Sequence, residues 1–565
     1  MRELTVARVV AEALAAAGIP RVYGIIGTSI LDFLDTLYDY RERVDFVTTR
    51  HEQVAVSAAD AEARVTGRPG AAAVHAGPGL LNSMTAVGIA YRDRAPLVLI
   101  VGAVRRRLRG TDAWLEVDQE ALARPVTVGF HSISQPGDAP EEVIEALRDS
   151  VKPPRGPVVL EVREDVWKSK VRVPDDFASR AREAVEPPDA EGEEERFASD
   201  VESLLGDAER PLILACGELA LDPRFRQEEL LGLAEAMGAY IATSGNGRGA
   251  CPEDHPRCLG RVGFGGGSTA ADRALERSDL VVVLGNEFDD ITTYAYTLMP
   301  EGDILVASLD PSVEKRPAYY DHYKASPLRA LHALASRLRG RTERPEWDRE
   351  VSEARKRWAA VVEAPLRKEY KGLPNPARFF ASLDKALPRS RIITAGQGTH
   401  VLYAYSYTRI YRPRSFLAAT NLGAMSYAFP AAIGAALARP EGAPVVSIVG
   451  DGDFLMTVQD LETLRREGVK AGIVVVNDNC YKVLYLRQVI QLGGRVYETL
   501  LGNPDFQKLA EAFDIPFIRV ESDSDIPRAV EALARQETPI LVELPVSKDD
   551  LPPLNLDYTL KMSSA

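Results

Sequence analysis

Sulfur is scarce in this chain: 565 residues carry four cysteines, Cys216, Cys251, Cys258 and Cys480, with no Cys-x-x-Cys pair. That excludes a disulfide-stapled framework, and such sparse usage predicts a reducing, cytoplasmic setting in which Cys251 and Cys258 are ordinary loop thiols. Positive charge is also short. A net charge of -14, with no basic stripe interleaved with aromatics, excludes nucleic acid as a partner and disfavours acidic membranes. No uninterrupted apolar run approaches the length of a membrane span. The first residues carry charges through an amphipathic helical pattern (Leu4, Val6, Val9, Val10, Leu14) with no apolar core ending at a cleavage site, so the start reads as mature protein. Short-period repeats are absent.

What is present is the composition of an ordinary globular protein, 45% apolar and 27% charged. The chain is too long for one hydrophobic core, which predicts several domains. An acidic, proline-bearing stretch, residues 186–195, cannot bury enough apolar surface to fold alone and reads as a linker. Before it, helices alternate with strands such as Gly70-Ala-Ala-Ala-Val74, Leu97-Val-Leu-Ile-Val101 and Pro157-Val-Val-Leu-Glu161, the pattern of a parallel sheet wrapped in helices. A second such series runs from Pro211-Leu-Ile-Leu-Ala215 through Leu280-Val-Val-Val-Leu284 to Ile304-Leu-Val306. A charged helix around Trp347 to Lys371 leads into a third. The expected division is 1–185, 186–345 and 346–550, with a tail at 551–565: an α/β chain of three doubly wound parallel sheets.

Two acidic loop tips carry the clearest chemistry. Val445-Val-Ser-Ile-Val449 empties into Gly450-Asp-Gly-Asp453, and Gly472-Ile-Val-Val-Val476 into Asn477-Asp-Asn-Cys480, which places Asp451 and Asp478 27 residues apart after two successive strands. Between them Thr457 is positioned to cap a helix whose Val458, Leu461 and Leu464 face the sheet, giving strand, helix, parallel strand. Both aspartates then lie at the carboxyl edge of one sheet, where open α/β sheets bind ligands. Glycines 450 and 452 allow close approach of phosphate oxygens, and a hard cation such as Mg²⁺ takes one or two carboxylates plus phosphates. The competing reading is two strand-ending turns, a role aspartate often fills.

In the first domain, Arg50-His-Glu-Gln53 precedes an alanine-rich helical run, Val54 to Arg64, with Glu52 near its N-terminus. Downstream, His75-Ala-Gly-Pro-Gly79 forms a tight strand-to-helix turn of the kind that admits a ligand. Glu52 could equally be an exposed helix-start residue, and His75 a hydrogen-bonded structural histidine.

Together with Thr111-Asp-Ala113, Arg124-Pro-Val-Thr127, Leu422-Gly-Ala-Met425, Phe429-Pro-Ala-Ala-Ile-Gly434 and Asn503-Pro-Asp-Phe506, these motifs resemble the acetohydroxyacid (acetolactate) synthase and 2-oxoacid decarboxylase group of thiamine-diphosphate enzymes. The resemblance spans nearly the whole chain. It implies a pyrimidine-binding, a central and a diphosphate-binding domain, and a homodimer or dimer of dimers with active sites at the subunit interface. It also implies thiamine diphosphate and Mg²⁺ as cofactors. Glu52 matches the glutamate that hydrogen-bonds the aminopyrimidine ring, and Met425 the residue that props the cofactor into its bent shape. Asp451 and Asp478 match side-chain metal ligands, Cys480 a backbone-carbonyl ligand, and Gln397 a diphosphate contact, with Gly450, Gly452 and Asp453 beside it. The implied activity is decarboxylation of a 2-oxo acid and transfer of the resulting carbanion to a proton or carbonyl acceptor. A non-catalytic homologue that keeps the fold is the alternative.

Departures from the family pattern bear on specificity. Asp478 stands where asparagine is frequent, Asp453 where a small neutral residue is frequent, and Lys482 where glycine is usual. Lys482 either reaches the active site to select a substrate anion or extends to solvent. The paired histidines of many simple decarboxylases are absent unless His75 and His51 substitute for them, which makes His75 a catalytic candidate. Tyr485-Leu-Arg-Gln488 lacks the tryptophan of branched-chain synthases, and Trp114-Leu115 replaces their Phe-Gln. The central domain of some relatives binds FAD and of others ADP. Gly263-Phe-Gly-Gly-Gly267 with Glu287-Phe-Asp-Asp290 does not favour either here, since Glu287 stands at an arginine position of flavin-bearing synthases.

Overall fold

A computed structural model describes residues 1–188, 192–265, 267–316, 319–440 and 442–553. Part of the expected linker, 189–191, and most of the expected tail, 554–565, lie outside the described residues.

Three six-stranded sheets, all parallel, form the framework, with helices on both sides of each. The first contains Asp45–Thr48, Arg21–Gly24, Gly70–Val74, Leu97–Ala103, Pro157–Arg163 and Gly129–Ile133 in spatial order. Numbered along the chain that is 2-1-3-4-6-5. The third sheet, Phe416–Ala418, Ile392–Ala395, Val445–Gly450, Gly472–Asn477, Ile540–Pro545 and Phe517–Arg519, repeats this order. The central sheet differs. Its strands Cys258–Arg261, Tyr240–Thr243, Pro211–Ala215, Leu280–Leu284, Asp303–Ser308 and Asp321–Lys324 run 3-2-1-4-5-6. The crevice at which strand order reverses therefore falls between chain strands one and three in the outer sheets, and between one and four in the central sheet.

The chain divides into two compact units. Unit one comprises Met1–Pro188, Asn421–Arg439 and Thr457–Val469, and unit two the remainder. In unit one the helix Glu52–Thr66 is buried along most of its length and packs against Ala428–Ala438 so closely that a Cβ on Gly434 would lie 1.9 Å from the Ala58 carbonyl oxygen. Buried charge is matched: Arg64 pairs with Asp60 (3.0 Å) and Asp93 (3.1 Å), and Tyr427 donates to Asp60. In unit two, Trp347 of the helix Pro345–Leu366 joins the central core beside Leu212 and Val281, its indole donating to the Pro211 carbonyl at 3.2 Å. Among the described residues no helix is long and apolar enough to cross a membrane.

Three local expectations change. The amphipathic start is a strand, Arg2–Thr5, paired antiparallel with Lys170–Val173; the helix begins at Val6, capped by the Thr5 hydroxyl. Thr457 caps nothing. Its hydroxyl is buried without a hydrogen-bond partner, and the segment after it is a 3₁₀ turn, Val458–Asp460, followed by the short helix Leu461–Arg466. Asp460 instead accepts from the Arg50 backbone N–H (2.8 Å), which ties this segment into unit one. Finally, Cys251 and Cys258, both buried, form a disulfide rather than remaining free thiols.

Candidate active site

In unit two, the strands Val445–Gly450 and Gly472–Asn477 are parallel neighbours, with Gly450 opposite Val476, so their following loops emerge side by side. Asp451 opens a five-residue helix, Asp451–Leu455, where the sequence suggests a turn. Its Oδ2 accepts from Asn503 Nδ2 at 2.6 Å, and the same amide group donates to Asn477 Oδ1 at 2.9 Å. Asp478 accepts at Oδ1 from the Cys480 backbone N–H (3.2 Å) and thiol (3.3 Å). The two carboxylates sense each other. Burial first, and the Asp451 charge next, push the Asp478 carboxyl up to about 6. Burial raises Asp451 as well.

The neighbouring loop, after Ile392–Ala395, completes the switch point of this sheet. Gln397 donates its backbone N–H to Asp453 Oδ2 (3.2 Å) and its side-chain amide to the Ala419 carbonyl (3.0 Å). Asp453, fully buried, thus faces main chain, and a Cβ on Gly396 would lie 2.0 Å from its Oδ2. His400, absent from the sequence argument, stands beside it. Its ring would collide with a Cβ on Gly450 (2.8 Å), and its buried Nε2 has no hydrogen-bond partner. Burial, assisted by Lys482, holds this imidazole neutral, with its pKa down at about 3. The glycines flanking His400 at 396 and 398 were the available signal.

Lys482 departs from one of its two expectations. Its side chain is buried, not extended to solvent, and its ammonium donates to the Ser547 carbonyl (2.8 Å) while standing 3.9 Å from Asp478. Tyr485 likewise turns away toward Asp549 (2.8 Å).

This edge fits a metal diphosphate. Burial raises the proton affinity of both carboxylates and the Asp451 charge raises that of Asp478 further, and a hard divalent cation held by them would offset both effects. Among the described residues no cluster of three or more His, Cys, Asp or Glu forms a self-sufficient metal cage, so further oxygen donors must come from main chain or ligand. The unpartnered His400 Nε2 adds one buried polar atom awaiting a partner.

In unit one, Glu52 begins its helix, N-capped by His51 Nδ1, which accepts from the Gln53 N–H. The side chain is buried rather than exposed, and its Oε2 accepts from Asn82 Nδ2 at 3.0 Å. Next to it, Gln53 donates to the Ser426 hydroxyl, which itself donates to the Met425 carbonyl, so half-buried Met425 is tied to the residue beside Glu52. His75 sits at the switch point of the first sheet, its Nδ1 2.6 Å from Ser29 Oγ. Burial lowers its pKa, while Glu164 and Glu52 pull the other way. Sequence reasoning also missed Gln119. Buried, it accepts from the Gly77 N–H (3.0 Å) and donates to the Gly102 carbonyl (3.2 Å) and Glu161 (2.7 Å), fixing the glycine turn.

Comparison with known proteins agrees with this arrangement. Three family models match: "Thiamine pyrophosphate enzyme, N-terminal TPP binding domain" over residues 4–122, the central domain of the same enzymes over 199–319, and their C-terminal TPP binding domain over 396–544. A probable acetolactate synthase large subunit of Methanocaldococcus jannaschii is 31% identical, covering 97% of this chain and 93% of that protein. Acetolactate synthases of Mycobacterium bovis and Corynebacterium glutamicum are each 30% identical, covering 97% of this chain and 89% and 87% of theirs. The chain belongs to the thiamine pyrophosphate enzymes and is a thiamine-diphosphate-dependent enzyme of carbon–carbon bond chemistry, related to the acetolactate synthases.

Proposed function

We propose that this enzyme is Mg²⁺-dependent, decarboxylates a 2-oxo acid, and transfers the resulting carbanion to a proton or a carbonyl acceptor. The observation that carries the reading is the side-by-side emergence of Asp451 and Asp478 from neighbouring strands, with both carboxyls raised by burial and Asp478 raised further by the Asp451 charge. In this assignment Asp451, Asp478 and the Cys480 carbonyl hold the metal. Gln397, Gly450, Gly452 and Asp453 line the diphosphate, and the pairing of Asp453 with the Gln397 amide limits its repulsion of that group. When bound, thiamine diphosphate supplies the electron sink for the pair of electrons released as carbon dioxide leaves.

The chain's own residues do the rest. Glu52, buried and with Oε2 engaged by Asn82, keeps Oε1 for a hydrogen bond to the aminopyrimidine ring. Met425, its backbone pinned through Ser426 to Gln53, would hold the cofactor in place when it is bound. His75, neutral with Nδ1 engaged by Ser29, retains Nε2 for proton exchange with substrate. Lys482 acts as the counter-charge to Asp478, offsetting the extra negative charge that an aspartate brings there. We assign domain boundaries near residues 185 and 345, a cytoplasmic setting, and a homodimer or dimer of dimers with active sites shared between chains.

A panel of 2-oxo acids, assayed for carbon dioxide release and for ligation products, tests the activity. Glu52→Gln is expected to lower turnover by at least about 100-fold while leaving cofactor affinity within a few-fold. Full activity in that variant removes Glu52 from its role. Absence of turnover on every acid tried, together with no cofactor binding, favours the non-catalytic homologue.

A further inference from the structure

The central sheet has a ligand crevice of its own, and its residues do not fit the nucleotide that the fold would receive there. Strand order reverses between Pro211–Ala215 and Leu280–Leu284, so a nucleotide phosphate would be received by the loops leaving those strands. A side chain of the protein already fills that position. Glu287, three residues past Leu284 and 4% exposed, accepts from the Gly217 backbone N–H (2.7 Å) and the Ser244 hydroxyl at Oε2, and from Asn246 Nδ2 (2.8 Å) at Oε1. Its carboxylate thus gathers the loops after the first, second and fourth strands around one internal anion. The donors that would receive an external anion are thus taken by a side chain of the protein. Gly217 and Gly285 are packed so closely that an added Cβ would meet Asn246 at 2.7 Å and Cys216 at 2.7 Å respectively.

The surroundings extend the mismatch. Glu218 accepts from Ser308 Oγ (2.6 Å) and the Leu309 N–H (3.0 Å), taking the donors at the end of the fifth strand. Asp310 accepts from Asn286 Nδ2 (2.7 Å) and the Ser312 N–H (2.9 Å), and Asp289 is buried beside them. Four carboxylates therefore line the crest where a nucleotide would present its own negative charge, against which Arg316 is the cation that acts on Asp289. Gly263, which starts the glycine-rich loop, is explained without a ligand. A Cβ there would lie 2.5 Å from the Ile291 carbonyl oxygen, the Phe264 N–H donates to that oxygen (2.7 Å), and Asp272 accepts from the Gly263 N–H (2.9 Å). Gly266 lies outside the described residues.

We propose that Glu287 is a built-in anion standing in for a nucleotide phosphate at the central switch point, and that it closes this domain to FAD and ADP. The inference rests on the central sheet alone and is independent of the thiamine site. The test is made on purified full-length protein with thiamine diphosphate and Mg²⁺ present. Wild type is expected to release no flavin on denaturation and to show no rise in melting temperature with FAD or ADP at about 1 mM. Flavin released at near-stoichiometric level, or a rise of several degrees with either nucleotide, overturns the proposal. Glu287→Ala, which vacates the position, is expected to melt several degrees lower and to regain part of that loss with ADP or inorganic phosphate. A folded Glu287→Ala that responds to neither shows that the carboxylate is not what closes the crevice. Failure of thiamine diphosphate to stabilise wild type would bear on the proposed function and leave this inference untouched.

Discussion

Asp478 shows how much a single residue's surroundings add to its identity. The chain pattern places an aspartate after a strand, but only the packed fold reveals that burial and Asp451 lift its carboxyl from the ordinary 3.8 to about 6. A carboxyl raised on folding favours the folded state below pH 4 and loses that contribution as pH rises through 6. The gap corresponds to at most about 3 kcal/mol. In metal-free buffer, urea unfolding of Asp478→Asn and wild type should give equal stability near pH 4, with the variant about 2 kcal/mol more stable at pH 7. Equal stability at both pH values contradicts the raised carboxyl. Arg64 makes the opposite case. Pairing with both Asp60 and Asp93, it is expected to cost about 3–5 kcal/mol when replaced by leucine, because two buried carboxylates lose their cation. A melting temperature within a degree of wild type would refute that. Glu52 and Asp451 were singled out as candidates because their neighbours form short motifs, and Gln397 through the family resemblance. His400 and Gln119 were not, since their importance comes from contacts far along the chain.

At the level of elements, the strand runs were readable from β-branched apolar stretches, and the charged helix near Trp347 from its periodicity. What failed was local capping and termini. Thr457 has the right chemistry for an N-cap, yet the segment following it is held by Asp460 and Arg50, and that long-range bond overrides local preference. Arg2–Thr5 likewise becomes a strand because Lys170–Val173 offers a ladder that no local pattern reveals. The helix pair Glu52–Thr66 and Ala428–Ala438 carries Met425 and Glu52 at adjacent ends of one packed contact. Gly434→Val should force these helices apart, destabilising by about 2–3 kcal/mol or more and lowering turnover along with stability. Chemical denaturation and activity, measured together, check this; unchanged values would show that the close approach is dispensable.

Across the whole molecule, three sheets were readable from the alternation of strands and helices, but not their topologies. The two outer sheets share the order 2-1-3-4-6-5 and the central one runs 3-2-1-4-5-6. This matters for function because the order sets where each crevice lies. In the third sheet the crevice collects Gln397, Asp451, Asp453 and His400, while in the central sheet it is filled by Glu287. The disulfide between Cys251 and Cys258 was hidden because their spacing says nothing of the turn that brings their Cα atoms within 6.0 Å of each other. The central claim is that Asp451 and Asp478 grip a divalent ion and, through it, the diphosphate. Isothermal titration of cofactor-free protein with thiamine diphosphate tests it most directly, with and without Mg²⁺, on wild type and Asp451→Asn. The account predicts binding that requires Mg²⁺ and weakens by at least about 100-fold in the variant, a loss of roughly 2.7 kcal/mol. Equal affinity in the presence of EDTA, or in the variant, would contradict it.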